Sequence, residues 1–318
     1  MQASVTSPRA GDVVTIGVFD GVHRGHRALM SIARGEADRR GVGLTAVTFD
    51  PHPLEVVRPG SHPLLLATVA HRCRLLHESG ADRVEVLRFD EALSRLTPQE
   101  FVDQVLVESL GAQLVVVGAN FRFGRGAAGD VAQLAALGGE RGVGVLPVEL
   151  LVEGDAGASG GGAVSSTAVR LLVSQGRVEE AADALTRPHR VQGLVVHGDH
   201  RGRELGYPTA NLEATPLATI PGDGVYAAWL VVDPDGAASP VWPAAVSVGT
   251  NPTFGEVARR VEAFALDAGT ELDLYGRDVA VDFLAHLRPM VAFDALDALV
   301  AQMAADVDAA RLVCLREG

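Results

Sequence analysis

His23 and His26 stand three residues apart around Gly25, at the end of Gly17-Val18-Phe19-Asp20-Gly21-Val22-His23-Arg24-Gly25-His26. Where a strand gives way to a helix, that spacing puts both imidazoles in the first turn, able to face one anion. Gly25 permits close backbone approach there, and ring N–H groups could donate to charge building on a transferring phosphorus. Ser165-Ser166-Thr167 followed by Arg170 would add hydroxyls, a second helix start and a guanidinium fork for the same polyphosphate. Further on, Thr209 and Asn211 are two apart. An extended chain points both the same way and offers two oxygens to a hard cation such as Mg²⁺. Gly198, Gly202 and Gly206 would let a loop wrap a phosphate through its N–H groups. Glu262 sits in an otherwise apolar stretch, where a carboxylate at a barrel mouth could take the proton from a substrate hydroxyl.

Each of these has a plainer reading. Two histidines at a helix start are as often a surface feature. Ser165-Ser166-Thr167 alone is a helix cap, and Asp50-Pro51-His52-Pro53 alone is a turn. A strand carboxylate usually faces solvent, and a glycine-rich hairpin with a polar rim needs no ligand. Position raises the odds for chemistry. Four clusters follow apolar runs: Phe19–His26, Asp50–Pro53, Gly118-Ala119-Asn120-Phe121-Arg122-Phe123-Gly124, and Ser165–Arg170. In an open parallel sheet ligands bind beyond the carboxyl ends of the strands, so all four would converge on one edge.

The elements that must hold them alternate. Val13–Val18, Leu44–Phe49, Arg83–Phe89, Leu114–Val117 and Val143–Val148 read as strands, and Gly25–Arg40 and Ala67–Ser79 as helices. Thr97-Pro98-Gln99-Glu100 has the form of a capped helix start. Helix-length segments between strands predict a doubly wound parallel sheet. The pattern changes after Pro188. Val191–Val196, Val225–Val232, Ala244–Val248, Val261–Leu266 and Val279–Phe283 read as strands separated by turns such as Pro221-Gly222-Asp223-Gly224, which predicts a compact antiparallel barrel or sandwich. Phe293, Leu296, Val300, Met303 and Val307 recur at helical spacing and predict a last helix packed on it. The boundary falls between Ala182 and Arg190, giving domains 1–185 and 186–318. Gly154–Gly162 reads as a mobile loop.

All 27 basic residues of the 318 are arginine, so there is no lysine. That excludes a P-loop NTPase, the protein-kinase catalytic apparatus and Schiff-base chemistry. A net charge of −13 argues against a nucleic-acid or anionic-membrane binder. Two cysteines, Cys73 and Cys314, a polar opening stretch and no long apolar run predict a cytoplasmic protein without a membrane span. A homo-oligomer is compatible with all of this.

The motif Gly17–His26 resembles the signature of the HxGH nucleotidylyltransferases. With Thr48-Phe49-Asp50-Pro51-His52-Pro53, Gly118–Gly124 and Ser165-Ser166-Thr167, it is similar to the adenylyltransferase module of bacterial bifunctional riboflavin kinase/FAD synthetases. Gly206-Tyr207-Pro208-Thr209-Ala210-Asn211, Gly222–Tyr226, Gly249-Thr250-Asn251-Pro252-Thr253, Val261-Glu262 and Asp273–Gly276 are similar to the kinase module of the same enzymes. The resemblance runs from about Val14 to Arg311, with motifs in the family order. It implies a Rossmann-like first domain, a Greek-key β-barrel second domain with a terminal helix, and two reactions: ATP + riboflavin → FMN + ADP, then ATP + FMN → FAD + pyrophosphate.

The residue roles follow from the resemblance. His23 and His26 would bind ATP phosphates and stabilise the transition state, with Gly17, Phe19, Gly25 and Asn120 in the phosphate-binding set. Ser166, Thr167 and Arg170 would close over the nucleotide. Phe49 would lie near the flavin, and Asp50 near the flavin or the metal. Thr209 and Asn211 would hold Mg²⁺ and ATP phosphates, Glu262 would be the base on the ribityl 5′-hydroxyl, and Arg288 would lie in a mobile segment near the flavin. One departure stands out: Val291-Ala292 replaces an expected Glu-Lys pair before Phe293. Two other readings compete. One keeps the nucleotidylyltransferase for another phosphorylated small molecule, with the barrel as a ligand sensor. The other is a non-enzymatic flavin-binding storage or regulatory protein.

Overall fold

The computed structural model describes residues 11–149, 164–197, 207–236, 238–250, 259–268, 272–293 and 295–317. By internal contacts the chain forms two units, one of residues 1–63 and 69–164, the other of 64–68 and 165–318.

In the first unit, five short runs rich in β-branched residues form a parallel sheet. They are β1 (Val13–Ile16), β2 (Leu44–Asp50), β3 (Arg83–Arg88), β4 (Leu114–Gly118) and β5 (Gly144–Val148), in the order β3-β2-β1-β4-β5. The period of two divides β1 between the faces. Val13 joins a core with Leu29, Met30 and Ala33 of the helix Arg24–Arg40, and Val14 and Ile16 join Val102 and Leu106 on the other face. Helices on both faces make the sheet doubly wound, as the alternating pattern predicts. The start at Thr97 is a full capping box: Thr97 Oγ1 accepts from Glu100 N at 3.2 Å, and Thr97 N donates to Glu100 Oε2 at 2.8 Å. Strand order reverses between β1 and β4, and that switch point opens the ligand crevice of such sheets.

The second unit is a closed antiparallel barrel. Its strands are β6 (His189–Val196), β7 (Ala210–Ala214), β8 (Gly224–Val232), β9 (Val241–Thr250), β10 (Arg259–Ala265) and β11 (Asp278–Arg288), in the order β10-β7-β6-β11-β8-β9. Strands β8, β9 and β10 follow as hairpins and β11 returns beside β8, which is a Greek key. Inward residues such as Val246, Val248, Val261, Ala263 and Leu212 fill the core. Strand β7 is not anticipated from sequence, because its Asn211 and Glu213 interrupt the apolar signal.

The terminal helix, Leu296–Glu317, lies on the outside of the wall, with Ala310 and Cys314 buried. Its packed face matches the expected one at Met303 and Val307 and departs from it at the helix start. Phe293 precedes the helix and Leu296 is exposed, whereas Leu299, Met303, Asp306 and Val307 turn inward. The helices Ser166–Ser174 and Val178–Leu185 pack within this unit too. Val169, Val173, Ala181 and Leu185 gather around Leu66, and Val178 joins the barrel core. The pattern change near Pro188 therefore marks a switch of element type, and the packing division falls between Val164 and Ser165.

Candidate functional sites

At the end of β1 the chain turns sharply into the helix Arg24–Arg40. Phe19 and Val22 hold φ of 53° and 41°, a region that side-chain-bearing residues rarely adopt. The turn survives because both side chains are buried in the core beneath it. A Cβ on Gly17 would stand 3.1 Å from the Phe19 ring, so a larger residue there would press on that ring. Phe19 in turn meets His26 edge-on, with centroids 5.2 Å apart. Its ring supports a histidine from below, and only its backbone is left for a ligand.

His23 caps the helix: its Nδ1 accepts from His26 N at 3.4 Å. An accepting Nδ1 places the ring proton on Nε2. The two imidazoles stack 3.7 Å apart, 17° from parallel. A Cβ at Gly25 would come within 3.2 Å of the His23 ring, so glycine makes room for it. Burial, and then the neighbouring His23, push the His26 pKa well below its ordinary value. Its Nδ1 is buried and makes no hydrogen bond among the described residues. The stacked pair thus stands at the positive end of a helix, with His26 held in the neutral form by burial, able to donate from ring N–H groups to an anion.

Clusters after β2 and β4 flank it, since β2 and β4 both pair with β1 in parallel. Asn120 is exposed, two residues past β4. Asp50 is exposed at the end of β2, and Phe49 sits largely in the core, edge-on to Phe89 at 5.6 Å. Three of the four expected clusters therefore share one edge. The fourth belongs to the second unit. There Ser165 is the cap, accepting from Ala168 N at 3.2 Å; Ser166 begins the helix, Thr167 is exposed, and Arg170 Nε donates to Leu64 O at 2.5 Å.

Sequence reasoning missed Arg72. Only 2% exposed, it donates from Nη1 to Val18 O (3.1 Å) and from Nη2 to Phe49 O (2.8 Å), tying the ends of β1 and β2 together. Burial lowers its pKa, against the attraction of Asp20, Cys73 and Asp50. The signal lay in spacing: Arg72 shares the helix stripe of Leu75 and Leu76.

In the second unit a cavity of about 280 Å³ lies between the outer wall of the barrel, the segment after β11 and the terminal helix. Thr209, Ser247, Glu262, Arg288 and Asp306 give it polar points, and Tyr207, Phe264, Met290, Phe293 and Met303 give it apolar surface. Glu262 pairs with Asn211 on one side and Ser247 on the other, while its neighbours Val261 and Ala263 fill the core. Directly paired residues share a face. The carboxylate therefore stands on the outward face of the wall, beside Asn211, and not at a barrel mouth. Arg288 is not in a loose segment either. It ends β11 opposite Val225 and is clamped by Asp306, Nε to Oδ1 at 2.8 Å and Nη2 to Oδ2 at 2.6 Å. Gly198, Gly202, Gly206 and the Gly154–Gly162 loop lie outside the described residues.

A parallel sheet with a histidine pair at its switch point, joined to a Greek-key barrel with a carboxylate cavity, defines a two-unit transferase. Two family models match: FAD synthetase over residues 6–167 and riboflavin kinase over 185–314. The bifunctional riboflavin kinase/FMN adenylyltransferase of Escherichia coli K12 is 37% identical over 96% of this chain and 93% of its own. That of Pseudomonas fluorescens is 39% identical over 95% and 92%. A solved structure described as a macrolide-efflux protein from Streptococcus pneumoniae superposes with TM-score 0.81 at 31% identity, covering 97% of this chain and 96% of that one. No helix among the described residues is long and apolar enough to cross a membrane. The chain belongs to the bifunctional riboflavin kinase/FMN adenylyltransferase family.

Proposed function

We infer that this protein makes flavin cofactors in two steps, phosphorylating riboflavin to FMN with ATP and then moving an adenylyl group from a second ATP onto FMN. The observation that carries this reading is the succession, in one chain, of matches to both halves of the sequence of reactions. We assign adenylyl transfer to residues 1–185 and phosphorylation to 186–318, and place both in the cytoplasm, where ATP is available.

In phosphorylation, Glu262 takes the proton of the riboflavin 5′-hydroxyl as that oxygen attacks the γ-phosphorus, and ADP leaves. The aromatic and methionine side chains of the cavity hold the flavin ring, and the outward face of β7 and β10 receives its polar tail. Thr209 and Asn211 fit Mg²⁺. They offer neutral oxygens, and the described residues contain no cluster of three or more His, Cys, Asp or Glu that would cage an ion. Such an ion is held mostly by phosphates and water, whose charge it offsets. Gly198, Gly202 and Gly206 complete the phosphate loop in this proposal.

In adenylyl transfer, a phosphate oxygen of FMN attacks the α-phosphorus of ATP and pyrophosphate departs, so no covalent enzyme intermediate forms. His23 and His26 donate from ring N–H groups to the charge growing on phosphorus. Asn120, across the switch point, contacts the phosphates, and Phe49 and Asp50 guide the flavin. The test is to give the purified protein riboflavin, ATP and Mg²⁺ and to separate the flavins over time. FMN should appear first and FAD after it. Flavin bound without turnover would instead identify a storage or regulatory protein.

A further inference from the structure

The flavin cavity holds one charge pair that the reaction does not use. Asp306, 8% exposed on the terminal helix, takes both Nε and Nη2 of Arg288, and Gln302 Nε2 donates to its Oδ1 at 2.9 Å. Arg288 Nη1 donates to Pro289 O at 3.0 Å, and the guanidinium carbon stands 6.0 Å from the centroid of Phe293. Both members of the pair line the cavity, as does Glu262. With Arg288 neutralised on the spot, the pair adds almost no net charge to the cavity.

We propose that Asp306 is a specificity-determining residue: by cancelling Arg288, it lets the cavity take the uncharged flavin and reject the phosphorylated one. The inference rests on the reading of this cavity as the riboflavin site. Substrate and product of the phosphorylation differ by a phosphate monoester that carries between one and two negative charges near neutral pH. An isolated arginine in a half-enclosed apolar cavity would attract that phosphate at short range. A bidentate arginine–aspartate pair presents almost no net charge, so that attraction is lost. Release of FMN from this site is what makes it available to the second reaction. Val291, which also lines the cavity, adds no charge to it.

The experiment uses the full chain carrying His26→Ala, so that added FMN is not consumed. ADP release gives the KM for riboflavin and the inhibition constant of FMN competing with it. Asp306→Asn frees the cation, and the ratio of FMN inhibition constant to riboflavin KM should fall about fivefold or more. Arg288→Gln with Asp306→Asn removes both charges and should restore the ratio to within about twofold of the parent. A pair that only pins the helix would weaken both flavins alike and leave the ratio unchanged in the single variant, which overturns the proposal. So does an equal fall in the single and double variants. Met290→Arg adds a cation at an exposed cavity position without touching the pair. If Asp306→Asn does not fold, this variant should lower the ratio in the same direction, and an unchanged ratio there overturns the proposal too.

Discussion

The histidine pair of the first unit and the carboxylate cavity of the second are surrounded differently. Beneath His23 and His26, every support is buried: Phe19 in a left-handed turn, Val22 in the core, and Arg72 gripping the ends of β1 and β2. Glu262 stands on the outside of a barrel that would close without it, beside Asn211 and Ser247, under a helix from the far end of the chain. On the roles proposed for these sites, a lysine-free chain handles phosphates in two ways. One would use imidazoles at a helix N-terminus. The other would use a carboxylate, neutral oxygens for a cation, and an arginine paired with an aspartate.

The comparison can be broken most severely at Glu262. Glu262→Gln should lower riboflavin phosphorylation by about 10²–10⁴-fold while leaving conversion of added FMN intact, read from separate initial rates. His26→Ala should cost adenylyl transfer about 10²–10³-fold, the scale of removing one donor to a charged transition state, with FMN formation untouched.

Arg72→Met would sharpen the contrast between a supported site and an applied one. It removes a buried guanidinium and takes one donor each from the Val18 and Phe49 carbonyls, of which Val18 O keeps the hydroxyl of Thr48 at 2.8 Å. The first unit should lose about 3 kcal/mol of stability in denaturant unfolding, and FAD formation should fall while phosphorylation holds. A smaller effect follows from pH. The His26 pKa is depressed, so its ring should stay in the neutral form well below pH 6.5 in an NMR titration. The unfolded chain takes up that proton near 6.5, before the folded one does. The contribution to stability is therefore complete above that pH and declines as pH falls below it.

Much of this was legible in the sequence. The β-branched runs of the sheet, the capping box at Thr97 and the helix start that brings His23 and His26 together depend on neighbours within a few residues, where spacing carries the information. Other features depend on partners far along the chain. Arg72 reads as an ordinary helix arginine until Val18 and Phe49 arrive above it. The Arg288–Asp306 pair spans the end of a strand and the middle of a helix. Strand β7 is too short and polar to announce itself, and it is the ladder with β10 that places Asn211 against Glu262. The side of the wall that Glu262 faces follows from the register of two pairings, which no local pattern encodes.

The central claim is that two sites in one chain act independently and in sequence. It is tested most directly by supplying riboflavin, ATP and Mg²⁺ to folded Glu262→Gln, to folded His26→Ala, and to an equal mixture of the two. The first should make neither FMN nor FAD, the second should stop at FMN, and the mixture should make FAD, because FMN released by one protein is adenylylated by the other. A mixture that yields no FAD, or either substitution abolishing both reactions in folded protein, would contradict it.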